Sequence, residues 1–209
     1  MTRLGLARAI CEAGRLLYER GLIAGAEGNI SARLGDRILV TPAGVGKGWL
    51  EPGDLVDVDL SGKVLHGSGR PSSELGMHLA ILSLRQDVGA VVHAHPPVAT
   101  GFAVAGKMLG NGALAELVTL FGTVPVVPYG TPGTPELGER VKPYARGHDA
   151  LLLANHGAVT VGPTVEAACH RMESLEQGAR ILLVARLLGG ARPLSPEETD
   201  RLVAPRRNA

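Results

Sequence analysis

Aromatic residues are scarce in this chain: 209 residues include one Trp, three Tyr and two Phe. Cysteine is scarcer still. Cys11 and Cys169 stand far apart, with no C-x-x-C pair. That excludes a disulfide framework and predicts two unpaired, buried thiols in a reducing compartment. An excess of one charge is also missing, since 21 Lys+Arg face 20 Asp+Glu for a net charge of +1. Nucleic acid and anionic membranes are therefore poor partners. Long apolar runs are missing too. "MTRLGLARAICEAGRLLYERG" is broken by Arg8, Glu12 and Arg15, which makes it an amphipathic helix instead of a signal-peptide core. "ILLVARLLGG" is interrupted at Arg186 and is too short to span a bilayer. Together these absences place the protein in the cytoplasm. No internal repeat, low-complexity block or linker is visible. At 45% hydrophobic and 20% charged, the composition is that of an ordinary globular protein.

The remaining pattern predicts one α/β domain. Leu6, Ile10 and Leu17 recur at helical spacing, and Gly21 follows as a C-cap. Residues 29–33 and 37–41 alternate around "LGDR" as a hairpin, and "LEPGDLVDVDLSGKVLHGSG" adds a turn and two short strands. "PSSELGMHLAILSLR" starts a helix, "GAVVHAH" is a buried strand, and "VATGFAVAG" is a helix. "VPVVPYGTPGTPELGERV" reads as strand, loop, then a helix from about Thr134. "DALLLANHGAVTVG" gives two strands that turn near His156, and Thr164 caps a long helix. The tail from about residue 204 reads as frayed. One helix, several strands, then alternating helices and strands argue for a mixed sheet.

Two of only seven histidines stand one residue apart in "AVVHAHP". Strand residues i and i+2 share a face, so His93 and His95 project side by side and can grip one ion. A bare H-x-H also fits two hydrogen-bonded polar residues at a strand end. A second apolar strand delivers His156 in "LLLANHG". Three His ligands leave a coordination position open, as a catalytic metal site requires. Glu74, in the first turn after "PSS", is the candidate fourth group. Ser72 and Ser73 at that helix start suit a phosphate. The alternative is that Ser72 only caps and Glu74 only completes the turn. "AEGNIS" and "TPAGVG" are further loops able to offer backbone N–H to an anion. His78, one turn beyond Glu74, reads as a hydrogen-bonded packing residue. His66, His148 and His170 read as surface groups, and Trp49, Tyr18 and Tyr144 as core or interface residues.

"GNIS", "TPAG", "PSSE…H", "VVHAHP" and "NHG" together resemble, in order and spacing, the class II sugar-phosphate aldolase/epimerase family over about residues 5–190. The fuculose-phosphate aldolase branch is the most similar, because the epimerases usually carry Asp where this chain has Glu74. The resemblance implies a single-domain α/β/α sandwich over residues 1–209, with a mixed, largely antiparallel sheet. It also implies a homotetramer with sites at subunit boundaries. It implies that His93, His95 and His156 bind Zn²⁺ (with Mn²⁺, Co²⁺ or Fe²⁺ as alternatives). Glu74 would approach the metal in the empty enzyme and act as base once substrate displaces it. Gly28, Asn29, Ala43, Gly44, Ser72 and Ser73 would hold a phosphate.

The implied reaction is reversible aldol cleavage of a ketose 1-phosphate to dihydroxyacetone phosphate and an aldehyde, through a metal-stabilised enediolate. The chain departs from the family at position 43, where Thr is usual and Ala43 leaves only backbone N–H. It departs again near Leu114, where a tyrosine proton donor is expected and Glu116 is the nearest ionisable group. No tyrosine follows Tyr144. A 4-epimerase, a methylthioribulose-phosphate dehydratase-like lyase or a sugar-acid decarboxylase on the same scaffold remain alternatives. So does a non-catalytic assembly domain of the adducin-head kind. A cupin-like iron dioxygenase is disfavoured, because no Glu follows His95 at short range and the helices are long.

Overall fold

The first helix begins where Thr2 accepts the Gly5 amide through its hydroxyl. The computed structural model describes residues 1–110 and 112–207. In chain order the elements are α1 (Arg3–Glu19), β1 (Asn29–Leu34), β2 (Arg37–Val40), β3 (Val56–Val58), β4 (Val64–His66) and α2 (Leu75–Leu84). Next come β5 (Ala90–Ala94), α3 (Pro97–Val104), α4 (Ala115–Phe121), β6 (Val126–Val127) and α5 (Pro135–Ala145). The chain finishes with β7 (Ala150–Leu153), β8 (Gly157–Gly162), α6 (Val165–Leu187) and α7 (Pro196–Arg207). A short 3₁₀ turn, Lys47–Trp49, lies between β2 and β3.

The eight strands form one open sheet in the order β4-β3-β2-β1-β5-β8-β7-β6. Every pairing is antiparallel except β6 with β7. The expected single-domain sandwich with a mixed, largely antiparallel sheet is what forms. Strand alternation gives the sheet two apolar faces. Ile30, Leu39, Val92, Leu152 and Ala158 pack with Ile10, Leu17, Met172 and Leu175 of α1 and α6. Val40, Val58, Val91, Leu151 and Val159 pack with Met77, Ile81, Leu137 and Val141 of α2 and α5. Fully burying each such side chain contributes about 1.5–3 kcal/mol, so the sheet is held from both sides. Among the described residues, no helix is long and apolar enough to cross a membrane.

The same alternation sets up the site. On β5, Ala90, Val92 and Ala94 face α1 and α6, while Val91 faces α2. His93 therefore points to the α2 side, at the strand's end. The register places Asn29 opposite His93 and Ser31 opposite Val91. Helix α2, with Glu74 at its N-cap and His78 one turn on, covers those four positions.

Two helices differ from the sequence expectation. Helix α4 lies in a stretch to which the sequence reading assigns no element. Helix α7 starts at Pro196, in a stretch to which the sequence reading assigns no element, and continues through the part read as frayed from about residue 204; it runs to residue 207, and residues 208 and 209 lie outside the described ones. Both cysteines are unpaired, Cys169 buried and Cys11 half-buried. Trp49 is 65% exposed and tilts against the Tyr18 ring at 4.6 Å between centroids.

Candidate metal and substrate site

Three histidines converge at one end of the central strands. His93 and His95 leave β5 on the same face, and the β7–β8 turn brings His156 beside them. Ring centroids are 4.7–5.2 Å apart. One ligand nitrogen from each lies within 4.8 Å of the others. The turn explains "NHG". Asn155 sits at φ 57°, the only non-glycine at positive φ among the described residues, a conformation that Asn tolerates better than most side chains. His156 N–H donates to Leu153 O at 3.0 Å and closes the turn. At Gly157 an added Cβ would lie 2.5 Å from His95 Cδ2 and 2.6 Å from Ala94 O, so no side chain fits there.

Second contacts fix the tautomers. His93 Nδ1 lies 2.9 Å from Ala158 O, a pure acceptor, so Nδ1 carries the proton. His95 Nδ1 lies 3.0 Å from a Glu27 carboxylate oxygen, with the same consequence. Both Nε2 lone pairs then face inward, 3.2 Å apart. A tetrahedral metal with bonds of about 2.0–2.1 Å would separate two nitrogen ligands by roughly 3.3 Å.

Glu74 closes the cluster. Its Oε2 is 3.1 Å from His93 Nε2, and its Oε1 is 3.3 Å from His156 Nε2. Oε1 is buried and accepts no hydrogen bond among the described residues. Inward lone pairs and a carboxylate at these distances repel unless a positive charge lies among them. The donor set therefore fits a divalent cation.

Electrostatics agree. Burial, and then the charge of His93, pushes the His156 imidazole down to about 4. Burial likewise lowers His95, with His93 adding to it. Both rings are neutral at neutral pH, the form that binds metal. For Glu74, burial raises the carboxyl, but a proton or cation at the His93 Nε2 that it faces, and after it the Asn29 amide, outweigh that. The group is held well below the usual carboxylate range.

Behind Glu74 runs a buried chain of hydrogen bonds. Asn29 Nδ2 donates to Glu74 Oε2 at 2.9 Å. Asn29 Oδ1 faces His78 Nε2 at 2.5 Å, and His78 Nδ1 faces the Ser31 hydroxyl at 2.7 Å. An Asn oxygen only accepts, so His78 donates from Nε2 and accepts the Ser31 hydroxyl at Nδ1. The expected hydrogen-bonded packing role of His78 holds, and its consequence is a fixed orientation of the Asn29 amide.

The candidate phosphate loops lie next to these groups. A Cβ at Gly28 (φ 68°) would lie 2.9 Å from His93 O, so this loop rests directly on the ligand strand. Pro42 and Pro71 form a β-bridge that joins the "TPAG" loop to the "PSSE" helix start. Ser72 N–H donates to Thr41 O at 3.1 Å, and the Ser72 hydroxyl accepts Glu74 N–H at 3.3 Å. One expectation needs correcting: the Ala43 N–H is already given to Arg70 O at 2.9 Å, which leaves Gly44 as the amide to consider in that turn. Gly44 stands at φ 73° with open space where a side chain would be.

Elsewhere, Leu114 and Glu116 line a groove between α4 and α6, together with Glu173 and Gln177. His66 and His170 are exposed, and half-buried His148 bonds to Tyr144 O at 2.9 Å.

The profile of the class II aldolase and adducin N-terminal domain family matches residues 8–183. The chain belongs to that family. Within it, the 3-oxo-tetronate 4-phosphate decarboxylase of Haemophilus influenzae is 35% identical over 186 residues, 87% of this chain and 88% of that one. The 5-methylthioribulose-1-phosphate/5-deoxyribulose-1-phosphate aldolase of Rhodospirillum rubrum is 36% identical over 178 residues, 84% and 79% of the two chains. A solved L-fuculose 1-phosphate aldolase superposes with a TM-score of 0.91 at 29% identity, covering 97% of this chain and 96% of its own. This chain is thus an enzyme with lyase activity. Its family is metal-dependent, and its histidine trio is able to bind a metal.

Two residues of the site escape the sequence reading. Glu27 lies in the quoted "AEGNIS" loop, two positions before the residue that pairs with His93. Lys47 is buried and donates from Nζ to Ala26 O at 2.9 Å and Val45 O at 2.6 Å, which ties two candidate phosphate loops together. Glu27 is legible in principle from the Asn29–His93 register. Lys47 is not, because nothing in "GVGKGW" says that its ammonium turns inward.

Proposed function

We propose that this enzyme reversibly cleaves a ketose 1-phosphate of the L-fuculose 1-phosphate kind to dihydroxyacetone phosphate and an aldehyde. The observation that carries the reading is Glu74 held against His93 and His156 at 3.1 and 3.3 Å. A carboxylate poised on a histidine cluster is a base that the substrate can displace. Three imidazoles and a carboxylate suit Zn²⁺, with Mn²⁺, Co²⁺ or Fe²⁺ as alternatives. A bound cation of this kind supplies Lewis-acid stabilisation of the negative charge that builds on the ketose oxygens as the C–C bond breaks.

The chain's own groups do the rest. While it sits on His93 and His156, Glu74 is a weak base. Withdrawn from them, it loses the contacts that lower its pKa and keeps the desolvation that raises it. Its basicity therefore rises when substrate takes its place. In the synthetic direction it removes a proton from the hydroxymethyl carbon of dihydroxyacetone phosphate. Gly28, Asn29, Gly44, Ser72 and Ser73, with Ala43 shaping the turn, hold the phosphate and so orient that carbon. The His78–Asn29 pair keeps one amide proton on Glu74 and leaves the other for substrate. We place residues 1–209 in one catalytic domain of a cytoplasmic homotetramer, with sites at subunit boundaries.

Decarboxylation is the second reading, favoured by the 35%-identical relative of that name and by Leu114 and Glu116 standing where a tyrosine donor is expected. Both reactions build an enediolate-like charge on the same oxygens. Incubation with L-fuculose 1-phosphate and, separately, with a 3-oxo-tetronate 4-phosphate separates them. EDTA-sensitive release of dihydroxyacetone phosphate from the first supports the aldolase. Release of carbon dioxide from the second, with no cleavage of the first, replaces it with the decarboxylase.

A further inference from the structure

Of the three clustered histidines, His95 is the one whose Nδ1 is held by a side chain from a distant segment. His93 lies within β5, is fully buried, and gives Nδ1–H to a sheet carbonyl. The His156 Nδ1 has no hydrogen-bond partner among the described residues, and its backbone is fixed by the Asn155–Gly157 turn. His95 lies just beyond the end of β5 and ahead of two prolines. Its side chain is 25% exposed. Its main chain is tied by N–H to Leu22 O at 3.0 Å, which fixes Cα but not the ring. Only the Glu27 carboxylate, 3.0 Å from Nδ1, decides which nitrogen turns toward His93.

Glu27 is itself held. Its N–H donates to Ala24 O at 3.0 Å. The preceding carbonyl, Ala26, is gripped by buried Lys47. The following residue, Gly28, rests on the His93 carbonyl. The loop therefore delivers the carboxylate from a fixed backbone, although the carboxylate itself is half exposed. We propose that Glu27 is a positioning residue, which holds His95 with Nδ1 protonated and Nε2 aimed at the metal position shared with His93 and His156. The inference rests on the metal-site reading above. A carboxylate behind a ligating imidazole fixes its tautomer and raises its basicity, and losing one lowers metal affinity by about 10–100-fold.

The test measures metal affinity and needs no substrate. Wild type, Glu27→Ala, Glu27→Asp and Glu27→Gln would be stripped with EDTA and titrated with Zn²⁺ against a chromophoric chelator. Co²⁺ would be titrated in parallel, and its visible ligand-field bands recorded. A half-exposed surface carboxylate leaves the fold intact on removal, and thermal melting of the metal-free proteins checks this. The expected result is a loss of about 10–100-fold in Glu27→Ala, with a similar loss in Glu27→Asp, whose shorter side chain cannot reach. Weakened Co²⁺ bands should accompany both. Glu27→Gln, which keeps an acceptor oxygen, should stay within a few-fold of wild type. Wild-type affinity and spectrum in Glu27→Ala would overturn the proposal. Equal losses in Glu27→Gln and Glu27→Ala would also overturn it, because charge alone would then be responsible. A wild-type protein that binds neither ion would overturn the metal site itself, a different result from either of these.

Discussion

His78 should give this protein a distinct acid limb in its stability. The ring is wholly buried, and burial, followed by the nearby charge of His93, pushes its pKa down to about 3. In the unfolded chain a histidine titrates near 6.5. Between those values the unfolded state binds a proton that the native state refuses, so stability falls as pH falls. The full contribution is present above about pH 6.5. Integrated down to pH 3, 3.5 pH units at 1.36 kcal/mol each give a ceiling of roughly 5 kcal/mol. Between pH 7 and pH 5 alone the loss is about 2 kcal/mol. Glu74, whose carboxyl is also lowered, loses stability in the same sense as pH falls toward the ordinary carboxylate range, but it does so in wild type and variant alike and cancels in the comparison. His95 and His156 also resist protonation, so their loss appears in wild type and variant alike. The comparison is urea denaturation of EDTA-treated wild type against His78→Gln at pH 5, 6 and 7. Gln can still bond to Ser31 and Asn29 but does not titrate. The wild type should lose about 2 kcal/mol more than the variant over this span. Parallel curves would mean that His78 is protonated in the folded protein, and the ordered chain from Ser31 to Glu74 would be wrong.

Other perturbations separate the parts of the site. Glu74→Gln should retain bound metal by elemental analysis while lowering proton exchange on dihydroxyacetone phosphate by at least about 10²–10⁴-fold; unchanged exchange would remove Glu74 from the role of base. Gly157→Ala forces a methyl to 2.5 Å from His95 and 2.6 Å from the Ala94 carbonyl. It should cost about 1–3 kcal/mol or more by denaturant titration and weaken metal binding, and a neutral result would mean that the β7–β8 turn is not rigid. Lys47→Met replaces a buried ammonium with an apolar chain of similar length. Thermal stability should hold while KM for a phosphorylated substrate rises several-fold, because the two loops lose their tie; an unchanged KM would argue that these loops do not hold the phosphate.

Much of the site is legible in the sequence, because its spacings have geometric meaning. Two histidines at i and i+2 on a strand must share a face. A helix opening on "PSSE" must put Glu74 and His78 on one side. The grouping of His156 with them rests on a motif in the sequence, and the fold supplies the reason: Asn155 takes the left-handed turn and Gly157 leaves room for His95. What stays hidden is set by packing over long sequence distances. Helix α4 is seven residues of "AELVTLF" between loops. It holds because Leu117 packs on Gly178 of α6, where an added Cβ would lie 2.5 Å from it. Helix α7 is the opposite case, with its signal in plain view. Ser195 accepts the Glu198 amide at 3.2 Å, and Glu198 accepts the Ser195 amide at 2.8 Å, a capping box with Pro196 next in line. The Ala43 amide looks free in sequence because its acceptor, Arg70 O, comes from a segment 27 positions away.

The most direct test of enediolate chemistry at this cluster needs no knowledge of the aldehyde. Zinc-loaded enzyme is incubated with dihydroxyacetone phosphate in D₂O, and proton NMR follows the hydroxymethyl signal. The account expects stereospecific loss of one proton that EDTA stops and added zinc restores. Full retention of that signal, with zinc shown to be bound, would contradict it.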